Sequence, residues 1–292
     1  DLAIHIDGRA IYQEDSAKIY IDKSKVLLNQ KPWTLKPVNT PNIILHQGIT
    51  EFLYFDFRHD DEILFLDASM GSQANKVNAI ISNFKLENIN PFIAGYDLNF
   101  QGIINGYIDV SDRNGFPIIE TDLSIDDLQM DDDTLGHLEL NSINADGLAV
   151  SINGNLSGGV FNKMEINGSI DFANQNSPLN LELKTQKSSI KPFQKYLAGL
   201  MSDIPGDSNT RIFITGPLTK PELKGKLTLD SLSFVMDYLN TEYKGRAIVA
   251  IDYSSFNITE AYLIDHYGKR ASLSGKISHH NFDDIRVDLA IN

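Results

Sequence analysis

The 292-residue chain contains no cysteine, which excludes disulfides, zinc–thiolate centres and thiol catalysis. It leaves oxidising and reducing compartments equally open. Basic charge is scarce: 25 Lys and Arg stand against 39 Asp and Glu, a net charge of −14. Nucleic acid is therefore a poor partner, because clustered cations are needed to neutralise phosphates. Peripheral docking on an anionic membrane is disfavoured on the same ground. No apolar run approaches the roughly 18 residues of a membrane helix. The densest stretches, EFLYFDF at 51–57 and DEILFLD at 61–67, have the length of strands. The opening DLAIHIDGRA has neither the basic nor the apolar region of a signal peptide. The closing DLAIN breaks off inside an alternating run. The expectation is a segment of a longer protein whose targeting or anchoring part lies elsewhere.

Catalytic spacings are missing as well. There is no HExxH, GxSxG, P-loop or complete GxGxxG. The acidic stretch SIDDLQMDDDTLG, 124–136, lacks the glycine and glutamate of a calcium loop and reads as a solvated turn. His279 and His280 are adjacent, so in a strand they face opposite sides, and the other histidines are scattered. No metal, no cofactor and no enzymatic activity are expected. Trp33, the single tryptophan, reads as a packing residue.

What the chain does have is two-residue alternation almost from end to end. With 42% hydrophobic residues it can bury a sizeable core. Leu2, Ile4 and Ile6 share a parity; so do Leu98, Phe100, Ile104, Ile108 and Val110. Ile152 and Leu156, then Met164, Ile166, Ile170 and Phe172, and Leu179, Leu181 and Leu183 continue the pattern. Val249 and Ile251, Leu273 and Ile277, and Ile285, Val287, Leu289 and Ile291 complete it. Turn sequences such as DRNGFP, NQNSP and HYGK separate the runs. Strands with one polar face imply antiparallel pairing. The expected fold is all-β, with one or two short helices. Helical spacing is confined to SIKPFQKYLAGLM, 189–201, and a shorter NINPFIAGY, 88–96. Their shared pattern suggests a degenerate repeat of about 100 residues, with divisions near 1–80, 81–188 and 189–292. The proline-rich 31–48 reads as an extended crossing.

Seven glycines sit at apparent strand centres on the apolar parity: Gly8, Gly102, Gly106, Gly154, Gly168, Gly225 and Gly275. A strand glycine supplies nothing to pack, so its place there needs a reason. Three are open: the sheet curls toward that face; a ligand or another backbone approaches it; or the glycines mark ordinary bulges.

The stretch from Ile212 to Gly245 resembles the TamB family, translocation and assembly proteins of the AsmA-like superfamily, in its Bacteroidetes form. The resemblance rests on Gly216, Pro217, Leu218, Pro221, Leu223, Gly225, Leu227 and Leu229, followed by Tyr238, Leu239, Asn240, Thr241 and Tyr243. A second element carries Asp265, Gly268, Ala271, Leu273, Gly275, Ile277 and His279. The close similarity covers about 212–292 and extends more loosely back to about 80. The resemblance implies an elongated, curved sheet, or β-taco, with an apolar groove open along one side. It implies a periplasmic protein, anchored in the inner membrane of a Gram-negative cell, whose groove passes phospholipid to the outer membrane. The implied partners are phospholipid acyl chains and an outer-membrane barrel-assembly protein of the TamA type. The alternative role is a scaffold or chaperone for outer-membrane protein assembly. Isolated chains could also self-associate.

The groove lining expected on this basis is Phe100, Ile104, Ile108, Ile166, Ile170, Phe172 and Leu227, with Leu229, Val249, Ile251, Leu273, Ile277, Val287 and Leu289. The competing reading of the same residues is a closed core.

Overall fold

A computed structural model describes residues 2–71, 75–94, 98–113, 115–144, 149–191, 201–202, 206–280 and 283–292. The chain divides into two compact units, Asp1–Val150 and Ser151–Asn292. The strand assignment is nearly continuous, and every described pairing is antiparallel. The all-β expectation holds. No helix among the described residues is long and apolar enough to cross a membrane.

The first unit is a meander of β1 (Leu2–Gln13), β2 (Ser16–Leu28), β3 (Lys31–Leu35), β4 (Ile43–His46), β5 (Ile49–His59), β6 (Glu62–Met70) and β7 (Lys76–Lys85). A 3-10 turn (Leu86–Asn88) and a one-turn helix α1 (Asn90–Ile93) follow, with Pro91 in the first turn, where its missing N–H costs nothing. Then come β8 (Phe100–Arg113), β9 (Phe116–Met130) and β10 (Asp133–Ile143). β11 (Ala149–Gly158) begins in this unit and continues in the next.

The proline-rich crossing forms a single lane of the sheet, broken in the middle. β3 pairs with β2 at Val26–Trp33, and β4 pairs with β2 at Ile19–Ile43; both then pair with β5. Pro37 and Pro41 in the gap cannot donate to a ladder. Asn42 replaces the missing rungs. Its backbone N–H donates to Ile19 O at 2.8 Å, its Oδ1 accepts from Ile21 N–H at 3.0 Å, and its carbonyl accepts from Leu53 N–H at 2.7 Å. It is fully buried, as such a satisfied polar group can be.

The second unit runs β12 (Lys163–Asp171), β13 (Leu179–Ser189), β14 (Met201–Ser202), β15 (Asp207–Gly216) and β16 (Glu222–Met236). β17 (Thr241–Asp252), β18 (Ser255–Asp265), β19 (Arg270–His280) and β20 (Asp283–Ile291) complete it. Of the helix expected over 189–201, residues 192–200 lie outside the described residues. Ile190 before it packs against the buried cluster, and Met201 after it pairs with Met236. The turn at Asp265 is closed by its own side chain, whose Oδ1 accepts from the N–H groups of Tyr267 and Lys269 at 2.9 and 2.8 Å.

Bulges recur with one construction. Tyr54, Asn83 and Lys187 have φ of 57°, 51° and 47° and sit where the register shifts. Each N–H leaves the ladder and donates to an Asp or Asn side chain on a paired strand: Asp67 at 2.6 Å, Asn105 at 2.8 Å and Asn209 at 3.1 Å. The donor freed by the bulge is thereby satisfied rather than lost.

Candidate functional site

Register brings the apolar side chains of consecutive strands onto one face. In the second unit one row runs Ile166, Leu183, Ile212, Gly225, Ile251, Phe256, Ile277 and Val287. The next runs Thr210, Leu227, Val249, Ile258, Gly275 and Leu289. Ile170 stands beside Leu179, and Leu229 beside Ala247. Phe172, just past the end of β12, is half-buried and belongs to no pair.

In the first unit the corresponding row is Leu35, Phe57, Leu64, Ile81, Gly106, Leu123 and Leu140. Ile108 lies between Ala79 and Thr121, and Ile104 between Phe84 and Ile125. Phe100 opens β8 beside Met130. Strict alternation does not assign the part of this face on β5 and β6. Its signal was present in EFLYFDF, but the bulge at Tyr54 shifts parity between Phe52 and Phe55, so a strict count of two fails.

The two faces differ in how far they close. Around β16–β19 the face is a core: Phe234 and Leu263 are 0% and 1% exposed, and Leu229 and Leu273 belong to the same cluster. Val249 and Ile251 are buried too. Phe234 stacks on Tyr243 at 5.7 Å. By contrast Ile104, Ile108, Ile166 and Ile170 are half-buried, as are Leu227, Ile277 and Leu289, and Val287 is 40% exposed. Across β5–β10 of the first unit, Phe55, Phe57, Leu64, Leu66, Ile81, Leu123, Leu138 and Leu140 are all half-buried. Apolar side chains kept in register yet left partly open mark a surface that still has area to bury.

The glycines answer to the neighbouring strand. A Cβ built on Gly225 would stand 2.8 Å from Ile212 Cα and inside the Arg211 carbonyl oxygen. At Gly106, Leu123 Cα would be 2.9 Å away, and φ of +130° bars an L side chain as well. Gly8, Gly102, Gly168 and Gly275 meet partner-strand carbonyls in the same way. Gly245, which the alternation of Tyr243 and Ala247 would have revealed, does so too. At Gly106, Gly168, Gly225 and Gly275 the neighbouring backbone closes in, whereas at Gly8 and Gly102 the register also shifts, as the bulge reading has it. Gly154 is buried within β11.

The opposite face is polar. Glu182 accepts from Lys184 at 2.7 Å and from Arg211, and these bonds hold its carboxyl below the usual range. Lys244, 3.0 Å away, does the same for Glu242. A hydrogen bond to Glu120 raises the Tyr107 hydroxyl above its ordinary value.

One buried polar knot lies in the first unit. Glu62, 0% exposed, accepts from Lys85 N–H at 2.8 Å and from Asn88 Nδ2 at 2.6 Å. The ammonium groups of Lys31 and Lys85 each approach it to 3.9 Å. Trp33 beside this region is buried against Phe84 and His59, as a packing residue. Among the described residues no cluster of three or more His, Asp or Glu could hold a metal ion. No protein-family model matches the chain, nor does any curated protein or solved structure.

Proposed function

We propose that this chain is a segment of a TamB-like envelope protein whose apolar face carries phospholipid acyl chains. The observation that supports the reading is the half-buried apolar row running in register from β5 to β10. Each CH₂ withdrawn from water is worth about 0.8 kcal/mol, so an acyl chain of about 15 methylenes forfeits roughly 12 kcal/mol when it leaves a bilayer bare. A continuous apolar lining removes most of that penalty without a reacting group. Head groups would remain in water beside the sheet. The residues that carry the role are the partly open ones, Ile104 and Ile108 with Phe57, Leu64 and Leu123. Leu229 and Leu273 instead hold the second unit together.

The test is native mass spectrometry of the purified chain, with organic extraction of the same sample. Bound phospholipid that is lost in I104D and L64D, with the far-UV circular dichroism unchanged, supports the reading. Serine at the same positions serves if aspartate unfolds the chain. A folded protein that carries no lipid and takes up no fluorescent phosphatidylethanolamine from vesicles sinks it and favours the scaffold role.

A further inference from the structure

The break in the lane of β3 and β4 opens a depression on the polar face of the first unit. The β2–β3 ladder stops at Val26–Trp33, and the Leu35 N–H donates instead to the Ser24 hydroxyl oxygen at 3.2 Å. Pro37, just past β3, has no N–H with which to restore the ladder. The depression beside Ser24 has a volume of about 650 Å³, within the range of small-ligand sites. Thr34 and Arg58 stand side by side in its wall, on the face opposite Leu35 and Phe57. It is therefore separate from the apolar row, and nothing in it depends on acyl chains.

The lining is cationic in an acidic protein. Lys23, Lys25, Lys36 and Arg58 line it, with Asp7 and Asp22. Each nearby carboxylate already has another partner. Asp7 lies 3.4 Å from His5, Asp22 lies 3.6 Å from Arg9, and Asp56 accepts two bonds of 2.9 Å from Arg58. Lys23, Lys25 and Lys36 make no ion pair among the described residues. With Arg9 and Asp56 counted as partners of the lining, five lysines and arginines meet three carboxylates, a surplus of two positive charges. The chain as a whole carries −14. Like charges on neighbouring strands repel one another, and an anion placed between them turns that repulsion into attraction.

We propose that this depression binds a phosphomonoester. Such a group carries close to two negative charges at pH 7 and three strong acceptor oxygens. The charge matches the surplus, and the oxygens match the ammonium donors of Lys23, Lys25 and Lys36. A carboxylate would leave half of the surplus unanswered. Ser24 adds a donor, because its oxygen accepts from Leu35 while its hydroxyl hydrogen stays available. The volume is far larger than one phosphate group, so a glycerol or sugar substituent fits beside it.

The test is isothermal titration calorimetry of the 292-residue chain with glycerol 3-phosphate at low salt. Alongside it runs co-sedimentation with phosphatidylcholine vesicles, with and without phosphatidic acid. Binding of glycerol 3-phosphate identifies a soluble ester as the source, and binding only to the vesicles with phosphatidic acid identifies a lipid head group. In either case K25E/K36E should weaken binding about tenfold or more, and added salt should weaken it further. K226E/K276E makes the same change of charge at exposed lysines of the second unit and should leave binding within about twofold. K25Q/K36Q serves if charge reversal alters the circular dichroism. Failure to bind either probe, binding that survives the loss of Lys25 and Lys36, or an equal loss in K226E/K276E overturns the proposal.

Discussion

Gly225 faces Ile212 so closely that a Cβ on the glycine would stand 2.8 Å from the isoleucine Cα. Gly106, Gly168, Gly225, Gly245 and Gly275 are thus points where the backbones of neighbouring strands close up. G225A should destabilise the chain by roughly 1–3 kcal/mol, the usual penalty for forcing extra bulk into a packed site. G48A offers the contrast. Gly48 has open space around its Cβ position and only a positive φ of 76° to oppose a side chain, so about 1 kcal/mol is expected. Urea denaturation of the two variants compares them, and equal losses would refute the close-approach account.

Phe234 and Leu263 close the core of the second unit. F234A should cost about 3–5 kcal/mol, and truncation of half-buried Leu64 to alanine markedly less, because a cavity forms only where the site is closed. Thermal melts of both variants make the comparison. Equal shifts would mean that the face of the first unit is as closed as that of the second.

How much of this was legible in the sequence depends on the bulges. Alternation identifies β8, β12, β17 and β19, and β20 from Ile285 onward, because their parity holds there. It loses count at Tyr54 and Lys187, where one residue enters αL and the following side chains change sides. Leu229 and Leu232 share a face because the register shifts between them, with no residue in αL, although their numbers differ by three. The residues of the apolar face could be named from their type and spacing. Which of them would be open and which closed could not, because closure depends on how far the sheet folds over its own side chains. The Glu62 knot left no sequence signal, since its partners Lys85 and Asn88 are more than 20 positions away.

Removing the Glu62 carboxylate, itself 0% exposed, strands the Lys85 N–H and the buried Asn88 amide. E62A should therefore destabilise by roughly 3 kcal/mol, within the range for a buried charge network that loses one member. N88A, which leaves the Lys85 bond in place, should cost about 1–2 kcal/mol. Chemical denaturation decides the order, and a neutral E62A would contradict it.

The bulge clamps predict a smaller effect. N209A deprives the Lys187 N–H of its acceptor at an exposed position, where water can substitute, so a loss near 1 kcal/mol or below is expected. Hydrogen exchange gives the sharper readout: the Lys187 amide should exchange faster in N209A while its neighbours in β13 keep their protection.

Acid should weaken the fold through its polar face. Glu182 and Glu242 have folded-state pKa values held below those of the unfolded chain by their lysine and arginine partners. The stability they contribute is complete above the ordinary carboxylate value of about 4.3 and is lost as pH falls through the lower, folded value. Urea midpoints should fall as pH drops below about 4.3, and the fall should be shallower in the double variant E182Q/E242Q. An identical profile in that variant would assign acid sensitivity to other groups.

Strand order within each unit follows chain order, with partners adjacent or one strand removed. That locality has a mechanical meaning. Tension applied across the strands of one unit meets its backbone hydrogen bonds one pair at a time, never a whole row in shear. Each unit would peel like a zipper, hairpin by hairpin at low force, and the released strands would find their neighbours again as soon as the load was removed, because those neighbours lie next to them along the chain.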